Sequence, residues 1–152
     1  NPDYQIIGTS NKDLNEAMIQ VLQYKGLKQA MVVTSKDGID ELSITDVTHV
    51  HELRDNQITT YDIDPKKFGL SIYPLKDIQV NTSEEAYLYG VEVLNGKRGA
   101  GFDMVALNAG AALYTSDITN TMAEGIELAI KTIHSGKALL LLNKFAKFTQ
   151  QN

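Results

Sequence analysis

The beginning of the chain contains the pattern that most constrains the fold, a short strand, an amphipathic helix and a second strand. Gln5 to Thr9 forms a short apolar run, and Ala30 to Thr34 is a second run of β-favouring residues. Between the two runs, apolar residues recur at helical spacing, at Leu14, Ala17, Met18, Val21 and Leu22. Ser10-Asn11 provides a helix start and Gly26 a helix stop. This unit predicts a parallel strand pair with a right-handed crossover, and hence an α/β fold.

The remainder of the chain predicts an antiparallel ribbon followed by helices. Thr48 to Arg54 and Ile58 to Ile63 are typical of strands, and Asp55-Asn56-Gln57 between them indicates a hairpin. Helical patterns follow at residues 82–94, 102–115, 121–134 and 137–149. We therefore expect residues 1–152 to form a single α/β domain, with a mixed, largely parallel sheet flanked by helices and a C-terminal helical segment.

Two adjacent carboxylates, Asp40 and Glu41, follow the second strand after an Asp37-Gly38 turn. Ligand sites in open α/β sheets lie at such strand ends, and paired carboxylates can hold a hard cation such as Mg²⁺. Magnesium sites have no rigid sequence signature, however, and an ordinary solvated acidic turn is the more frequent arrangement. Spacing alone therefore favours the solvated turn and leaves the metal site open.

The composition argues against several classes of partner. A formal net charge of -5 lacks the clustered excess of Lys and Arg that nucleic-acid phosphates require. The apolar stretch Ala138 to Leu142 is far shorter than the roughly 20 residues that span a bilayer. Without cysteine, the chain has no disulfide and no thiolate metal site. We expect a cytoplasmic protein that binds neither nucleic acid nor membrane.

Three further features have structural explanations that we favour over functional ones. His49 and His51 would share one face of a strand and could bind zinc, but no third histidine lies near them in sequence. Residues 96–101, Gly-Lys-Arg-Gly-Ala-Gly, follow no strand and match no phosphate-binding spacing, so a flexible helix connection is expected. Asn108 lies in an apolar helix and must find a partner if buried. Small residues at 109–112 beside it indicate close helix packing.

Several stretches, taken together, resemble one enzyme family. They are Asp37-Gly-Ile-Asp-Glu-Leu-Ser43, His51-Glu-Leu-Arg54, Tyr61-Asp-Ile-Asp-Pro-Lys-Lys-Phe-Gly-Leu70, Asp103-Met-Val-Ala-Leu-Asn-Ala-Gly-Ala-Ala-Leu-Tyr114, Glu124-Gly-Ile-Glu-Leu-Ala129 and Ser135-Gly-Lys-Ala-Leu139. Their content and order resemble the C-terminal part of anthranilate phosphoribosyltransferase. One such stretch would be a weak match, whereas all of them in register form a specific signal.

The resemblance implies that this chain is a fragment. In the family, the N-terminal helical domain, the glycine-rich loop that binds phosphoribosyl pyrophosphate (PRPP) and the residues that contact anthranilate all lie upstream. Asn1-Pro2 resembles the end of the family's Leu-Gly-Pro-Leu-x-Asn-Pro segment, and no Gly-Thr-Gly-Gly-Asp stretch occurs. We therefore expect the chain alone to be inactive, with no catalytic or substrate-binding residue of its own. Apolar side chains that pack on the missing segments should be exposed.

The resemblance also implies a role for the acidic pair. By matching the family's motif, Asp40 and Glu41 would hold a Mg²⁺ ion that meets the pyrophosphate, directly or through water. Thr34-Ser35-Lys36 departs from the His-Gly-type step that commonly precedes the turn in the family. The intact enzyme, a homodimer, would transfer the phosphoribosyl group of PRPP to anthranilate in tryptophan biosynthesis. A pyrimidine nucleoside phosphorylase relative and a non-catalytic binding homologue stay open as alternatives.

Overall fold

The computed structural model describes residues 2–150, which form a four-stranded sheet and five α-helices. The strands are β1 (Tyr4–Gly8), β2 (Gln29–Ser35), β3 (Thr48–Arg54) and β4 (Gln57–Ile63). The helices are α1 (Asn15–Tyr24), α2 (Ser83–Leu94), α3 (Ala100–Thr115), α4 (Met122–His134) and α5 (Lys137–Thr149). Asn1 of the Asn1-Pro2 step lies outside the described residues. Within residues 2–150, every helix is too short or too polar to cross a bilayer.

The strand, helix and second strand at the start of the chain form as expected, and β1 pairs in parallel with β2 along the whole length of β1. Asn11 caps a 3-10 turn, Lys12–Leu14, by accepting a hydrogen bond from the N–H of Asp13, and α1 begins only at Asn15. Gly26 follows the helix with a φ of 77°, a left-handed conformation that glycine adopts without steric cost. The local start and stop signals therefore place this helix to within a turn.

The sheet is mixed, with strand order β1-β2-β3-β4, but the expectation that it is largely parallel is wrong for the described residues. Only β1 and β2 are parallel, whereas β3 pairs antiparallel with both β2 and β4. The physical reason is the form of the connections. Asp55 and Asn56, with φ of 51° and 59°, make a two-residue hairpin turn that forces antiparallel pairing. Residues 36–47 contain no helix, whereas the crossover of a parallel return is usually helical.

Helices cover both faces of the sheet. Alternate residues of the buried strand β2 point to opposite sides, so that Ala30 and Val32 pack with α1, while Met31 and Val33 pack on the side of α3. The core beneath α1 is completed by Ile19, Leu22, Leu27 and Leu53, and the larger core on the other side includes Leu42, Ile44, Val50, Phe102, Ala106 and Leu107. β2 is thus a central strand, which explains why all seven of its residues are buried.

Two glycines bring α3 and α4 into close contact. A Cβ atom at Gly110 would lie 2.5 Å from Cγ1 and 2.6 Å from the backbone N of Ile126, and a Cβ atom at Gly125 would overlap the carbonyl group of Gly110. The close packing expected at residues 109–112 is therefore confirmed. α3 contacts both α4 and the sheet, which fixes the position of the helix over the sheet.

The last helix, α5, has no buried residue. Its large apolar side chains are half or more exposed, at Leu140, Leu141, Phe145 and Phe148. The helix forms at the predicted position, but within residues 2–150 no element covers its outer apolar face.

Candidate metal-binding loop

The connection between β2 and β3, residues 36–47, carries both candidate metal ligands. It turns at Gly38, whose φ is 88° and whose N–H donates a 3.0 Å hydrogen bond to the carbonyl of Ser35. Asp40 and Glu41 follow this turn, and both are exposed. The predicted pair therefore lies beyond the C-terminal ends of the parallel strands β1 and β2, the position where ligands bind in open α/β sheets.

Asp37 lies inside the loop and holds its two limbs together. Its carboxylate accepts hydrogen bonds from the N–H of Ile39 at 3.0 Å, from the hydroxyl of Ser43 at 2.5 Å and from the hydroxyl of Thr45. Partial burial opposes the charge, but the hydrogen bonds outweigh it and hold the pKa of Asp37 below its ordinary value. Asp37 is thus an ionised carboxylate whose oxygens are occupied within the loop.

Asn108 attaches the other end of the acidic pair to α3. Its side-chain oxygen accepts a 3.1 Å hydrogen bond from the N–H of Leu42, and its amide nitrogen donates a 2.7 Å hydrogen bond to the carbonyl of Leu42. Leu42, which follows Glu41 directly, is itself almost fully buried. The buried partner that Asn108 was expected to need is therefore the backbone of the loop.

Gly8, at the end of β1, lies directly against the backbone of Asp40. A Cβ atom at this position would overlap the carbonyl oxygen and carbon of Asp40 and lie 3.2 Å from its Cα. Only glycine allows this approach without a shift of the strand or the loop. Together, Gly8, Asp37 and Asn108 hold the segment that carries the acidic pair on three sides.

The residues that depart from the family's His-Gly-type step have structural roles. The hydroxyl of Thr34 lies 2.5 Å from the hydroxyl of Thr9 and donates a 3.0 Å hydrogen bond to the side-chain oxygen of Asn15. All three residues are buried, and together they connect β1, β2 and the start of α1. The N–H of Lys36 donates to the carbonyl of Val47 at 3.0 Å, which closes the base of the loop. The loop is therefore well defined despite the departure.

The chemistry of the acidic pair fits Mg²⁺. Within residues 2–150, neither carboxylate forms a hydrogen bond or an ion pair, so both are free to bind a cation. Glu41 also borders a cavity of about 350 Å³ between the loop, α2 and α3. No group of three or more metal-ligating side chains occurs among the described residues. Two carboxylates suit an ion that keeps several waters and completes its shell with substrate phosphates.

The two histidines of β3 have separate partners. Nδ1 of His49 pairs with the carboxylate of Asp62 on the neighbouring strand, and Nε2 of His51 lies 3.5 Å from the carboxylate of Glu16 on α1. They do not join a third metal ligand in the part of the chain that the structure describes. The zinc alternative therefore has no support in the geometry.

The glycine-rich stretch at residues 96–101 connects α2 to α3, as expected. Lys97 pairs with Glu92 at 2.7 Å, and the guanidinium of Arg98 lies over the ring of Phe102, 4.2 Å from its centre. Gly101 donates its N–H to the hydroxyl of Tyr89. These contacts fasten the connection to the adjoining helices.

Sequence reasoning found the acidic pair but missed two of the groups that position it. Asn108 was assigned to helix packing, although a polar residue within a strongly apolar helix is a signal that a specific partner exists. Gly8 gave no such signal, because a glycine at a strand end has many explanations. Both contacts join segments far apart in the chain, and only the folded structure shows them.

Comparison with known proteins identifies the family. A profile described as "Glycosyl transferase family, a/b domain" matches residues 1–139. The anthranilate phosphoribosyltransferase of Vesicomyosocius okutanii is 41% identical over 143 residues, which are 94% of this chain and 42% of that protein. The enzyme of the same name from Acetivibrio thermocellus is 38% identical over 145 residues, which are 95% of this chain and 42% of that protein. The chain thus spans less than half the length of these relatives.

Solved structures give the same result. The crystal structure of anthranilate phosphoribosyltransferase from Thermus thermophilus superposes with a TM-score of 0.85 at 30% identity, over 94% of this chain and 42% of that one. The Saccharomyces cerevisiae enzyme in complex with PRPP and Mg superposes with a TM-score of 0.83 at 26% identity, over 98% of this chain and 43% of that one. Since the family profile covers nearly the whole chain and the fold agrees, the chain belongs to the glycosyl transferase family, as part of its a/b domain.

Proposed function

We propose that this chain is the C-terminal part of the single α/β domain of an anthranilate phosphoribosyltransferase, and that Asp40 and Glu41 bind Mg²⁺ in the intact enzyme. The observation that carries the proposal is the acidic loop itself. Its two carboxylates are exposed and unpaired within residues 2–150, while the backbone of Asp40 lies against Gly8 and the backbone of Leu42, next to Glu41, is hydrogen-bonded to Asn108. Fixed backbone with free carboxylates is the arrangement that a metal site requires.

The chemistry of the reaction agrees with this role. When bound, Mg²⁺ would neutralise the charge of the pyrophosphate that leaves the ribose. The contribution of this chain is to hold two carboxylates at the end of the parallel strands and to keep their oxygens free. Asp37 supports the same loop, since its own carboxylate is engaged with Ser43 and Thr45. The remaining contacts to PRPP and anthranilate would come from the upstream part of the enzyme.

The compared proteins favour the transferase over the alternatives. The relatives and structures described above all carry the name anthranilate phosphoribosyltransferase, and the yeast enzyme has been solved with PRPP and Mg and with 4-fluoroanthranilate. Neither a pyrimidine nucleoside phosphorylase nor a non-catalytic binder is favoured by any contact in this structure. The proposal includes a place in tryptophan biosynthesis, a cytoplasmic location and a homodimeric intact enzyme.

The test uses the full-length protein that contains this sequence. Both residues of the acidic pair are replaced in it. Asp40→Asn together with Glu41→Gln should reduce turnover on the order of 10²-fold, because the charge on the departing pyrophosphate loses its metal partner. The fold should persist, since removing two neighbouring like charges from an exposed loop relieves repulsion. The measurement is steady-state formation of phosphoribosyl anthranilate across a Mg²⁺ titration.

A matched control is Asp46→Asn, which removes one exposed carboxylate from the same connection between β2 and β3. It should leave both turnover and the dependence on Mg²⁺ close to those of the parent protein. If the double variant also behaves like the parent, Asp40 and Glu41 are an ordinary solvated acidic turn. If the full-length parent forms no phosphoribosyl anthranilate from PRPP and anthranilate, the proposed activity is wrong.

A further inference from the structure

Asn108 occupies an unusual position in the middle of α3. Asparagine is an unfavourable residue for a helix interior, because its side chain competes for backbone hydrogen bonds. Here the amide is fully used. It makes both hydrogen bonds to Leu42 and donates a third, at 3.0 Å, to the carbonyl of Met104 one turn earlier in its own helix. The third bond fixes the orientation of the amide, so Leu42 meets a rigid donor and acceptor.

The loop depends on such side-chain anchors because residues 39–44 have no strand partner. The N–H of Leu42 belongs to the peptide group that joins Glu41 to Leu42. A hydrogen bond from this N–H to Asn108 therefore fixes the plane of the peptide that follows Glu41. The peptide between Asp40 and Glu41 is also confined, because its carbonyl, that of Asp40, lies against Gly8.

We infer that Asn108 is a positioning residue for the Asp40 and Glu41 metal site, an inference that rests on the proposed function. Asn108 would not itself touch the metal. It acts through the backbone of Leu42, as hydrogen-bonded partners behind metal ligands commonly do. Loss of such a partner typically weakens metal binding or activity about 10-fold to 100-fold.

A purely structural role for Asn108 makes a different prediction. Leu42 belongs to the main core, so Asn108 could serve only to satisfy the polar groups of a buried residue. In that case its loss would lower thermal stability but leave the metal affinity of the folded protein unchanged. The two roles are separated by measuring metal binding directly and comparing it with a variant of similar stability.

The experiment uses the full-length protein with PRPP bound and Mn²⁺ as a paramagnetic substitute for Mg²⁺. Free Mn²⁺ is measured by electron paramagnetic resonance during a titration of the parent, Asn108→Ala and Asn108→Ser. Serine keeps a polar group for the helix but is too short to span both groups of Leu42, so it is the milder change. Each variant should bind Mn²⁺ about tenfold more weakly or worse. The Mg²⁺ concentration that gives half-maximal turnover should rise in parallel.

Leu113→Ala is the matched control, because Leu113 is a half-buried residue of the same helix and both hydrogen bonds to the backbone of Leu42 come from Asn108. It should lower the melting temperature while keeping the Mn²⁺ affinity of the parent. If an asparagine variant that folds also keeps the parent's Mn²⁺ affinity, the positioning role is wrong; if Asn108→Ala does not fold, Asn108→Ser decides alone.

Asp40→Asn with Glu41→Gln is titrated alongside. A parent-like Mn²⁺ affinity in that double variant refutes the metal site itself, and with it the proposed function of the pair. Weak binding in the double variant together with normal binding in the Asn108 variants refutes only the positioning role.

Discussion

Gly8→Ala should destabilise the chain, because the added methyl group would occupy the space of the Asp40 carbonyl. The obstacle is backbone, which cannot rotate away as a side chain could. Either β1 or the acidic loop must therefore move. Overpacking of this kind costs about 1–3 kcal/mol. Alanine recovers about 0.5–1 kcal/mol because it loses less conformational entropy than glycine on folding.

Because the overlap is with backbone, the upper part of the overpacking range applies, about 2–3 kcal/mol, and the net expectation is a loss of about 1–2.5 kcal/mol in the free energy of unfolding. For a protein of this size, each 1 kcal/mol corresponds to a fall of about 2–4 °C in melting temperature. The assay is urea denaturation followed by circular dichroism. The slope of the unfolding free energy against urea concentration should be the same in the variant and the parent. An equal slope would show that the substitution changes stability and that unfolding is still two-state.

Gly90→Ala provides a control of opposite sign. Gly90 lies within α2, and a Cβ atom there would meet nothing within 4 Å. Alanine should therefore stabilise the helix by about 0.5–1 kcal/mol. A Gly8→Ala protein that is as stable as the parent would refute the argument that β1 and the loop are in rigid contact. If Gly8→Ala and Gly90→Ala lower the free energy of unfolding equally, the assay does not report the contact between Gly8 and Asp40.

Two further predictions concern acid and association. The lowered pKa of Asp37 contributes stability above its unfolded value of 3.8, and this contribution is lost as the pH falls through the lower folded value. Asp37→Asn should therefore flatten the acid limb of unfolding free energy measured from about pH 6 to about pH 2, and an unchanged limb would contradict this. The exposed apolar face of α5 should make the chain self-associate at high concentration. Light scattering should show a larger monomer fraction for Leu141→Glu with Phe145→Glu, and a strictly monomeric parent would contradict the expectation.

Much of the fold follows from local signals in the sequence. α2 and α4 begin at capping boxes, in which Thr82 and Thr121 accept hydrogen bonds from the N–H groups of Glu85 and Glu124. The carboxylate of each glutamate in turn accepts a hydrogen bond from the N–H of the residue before the cap, Asn81 or Asn120. These partners are three or four residues apart, so each capping interaction is formed within one turn of the chain. The same holds for the hairpin turn of β3 and β4.

The direction of the strands could be inferred only in part. The helix between β1 and β2 made a parallel pair predictable, since such a crossover has essentially one outcome. The connection at residues 36–47 has no such element, and its antiparallel outcome depends on how β3 docks against β2. The prediction of a largely parallel sheet therefore extended the parallel pairing of β1 and β2, which the sequence specified well, to strands whose direction it did not specify.

What the sequence determined by itself was the order of the elements, the family resemblance and the presence of two carboxylates after β2. What only the tertiary structure decided is how those carboxylates are held. Leu42 and Asn108 are 66 residues apart, and the contact between Gly8 and Asp40 joins a strand end to a loop. Local hydrogen bonds and periodicity depend on near neighbours, whereas these contacts exist only because α3 packs on the sheet and β1 pairs beside β2. The position of a long-range partner is a consequence of packing, and so it appears only when the core has formed.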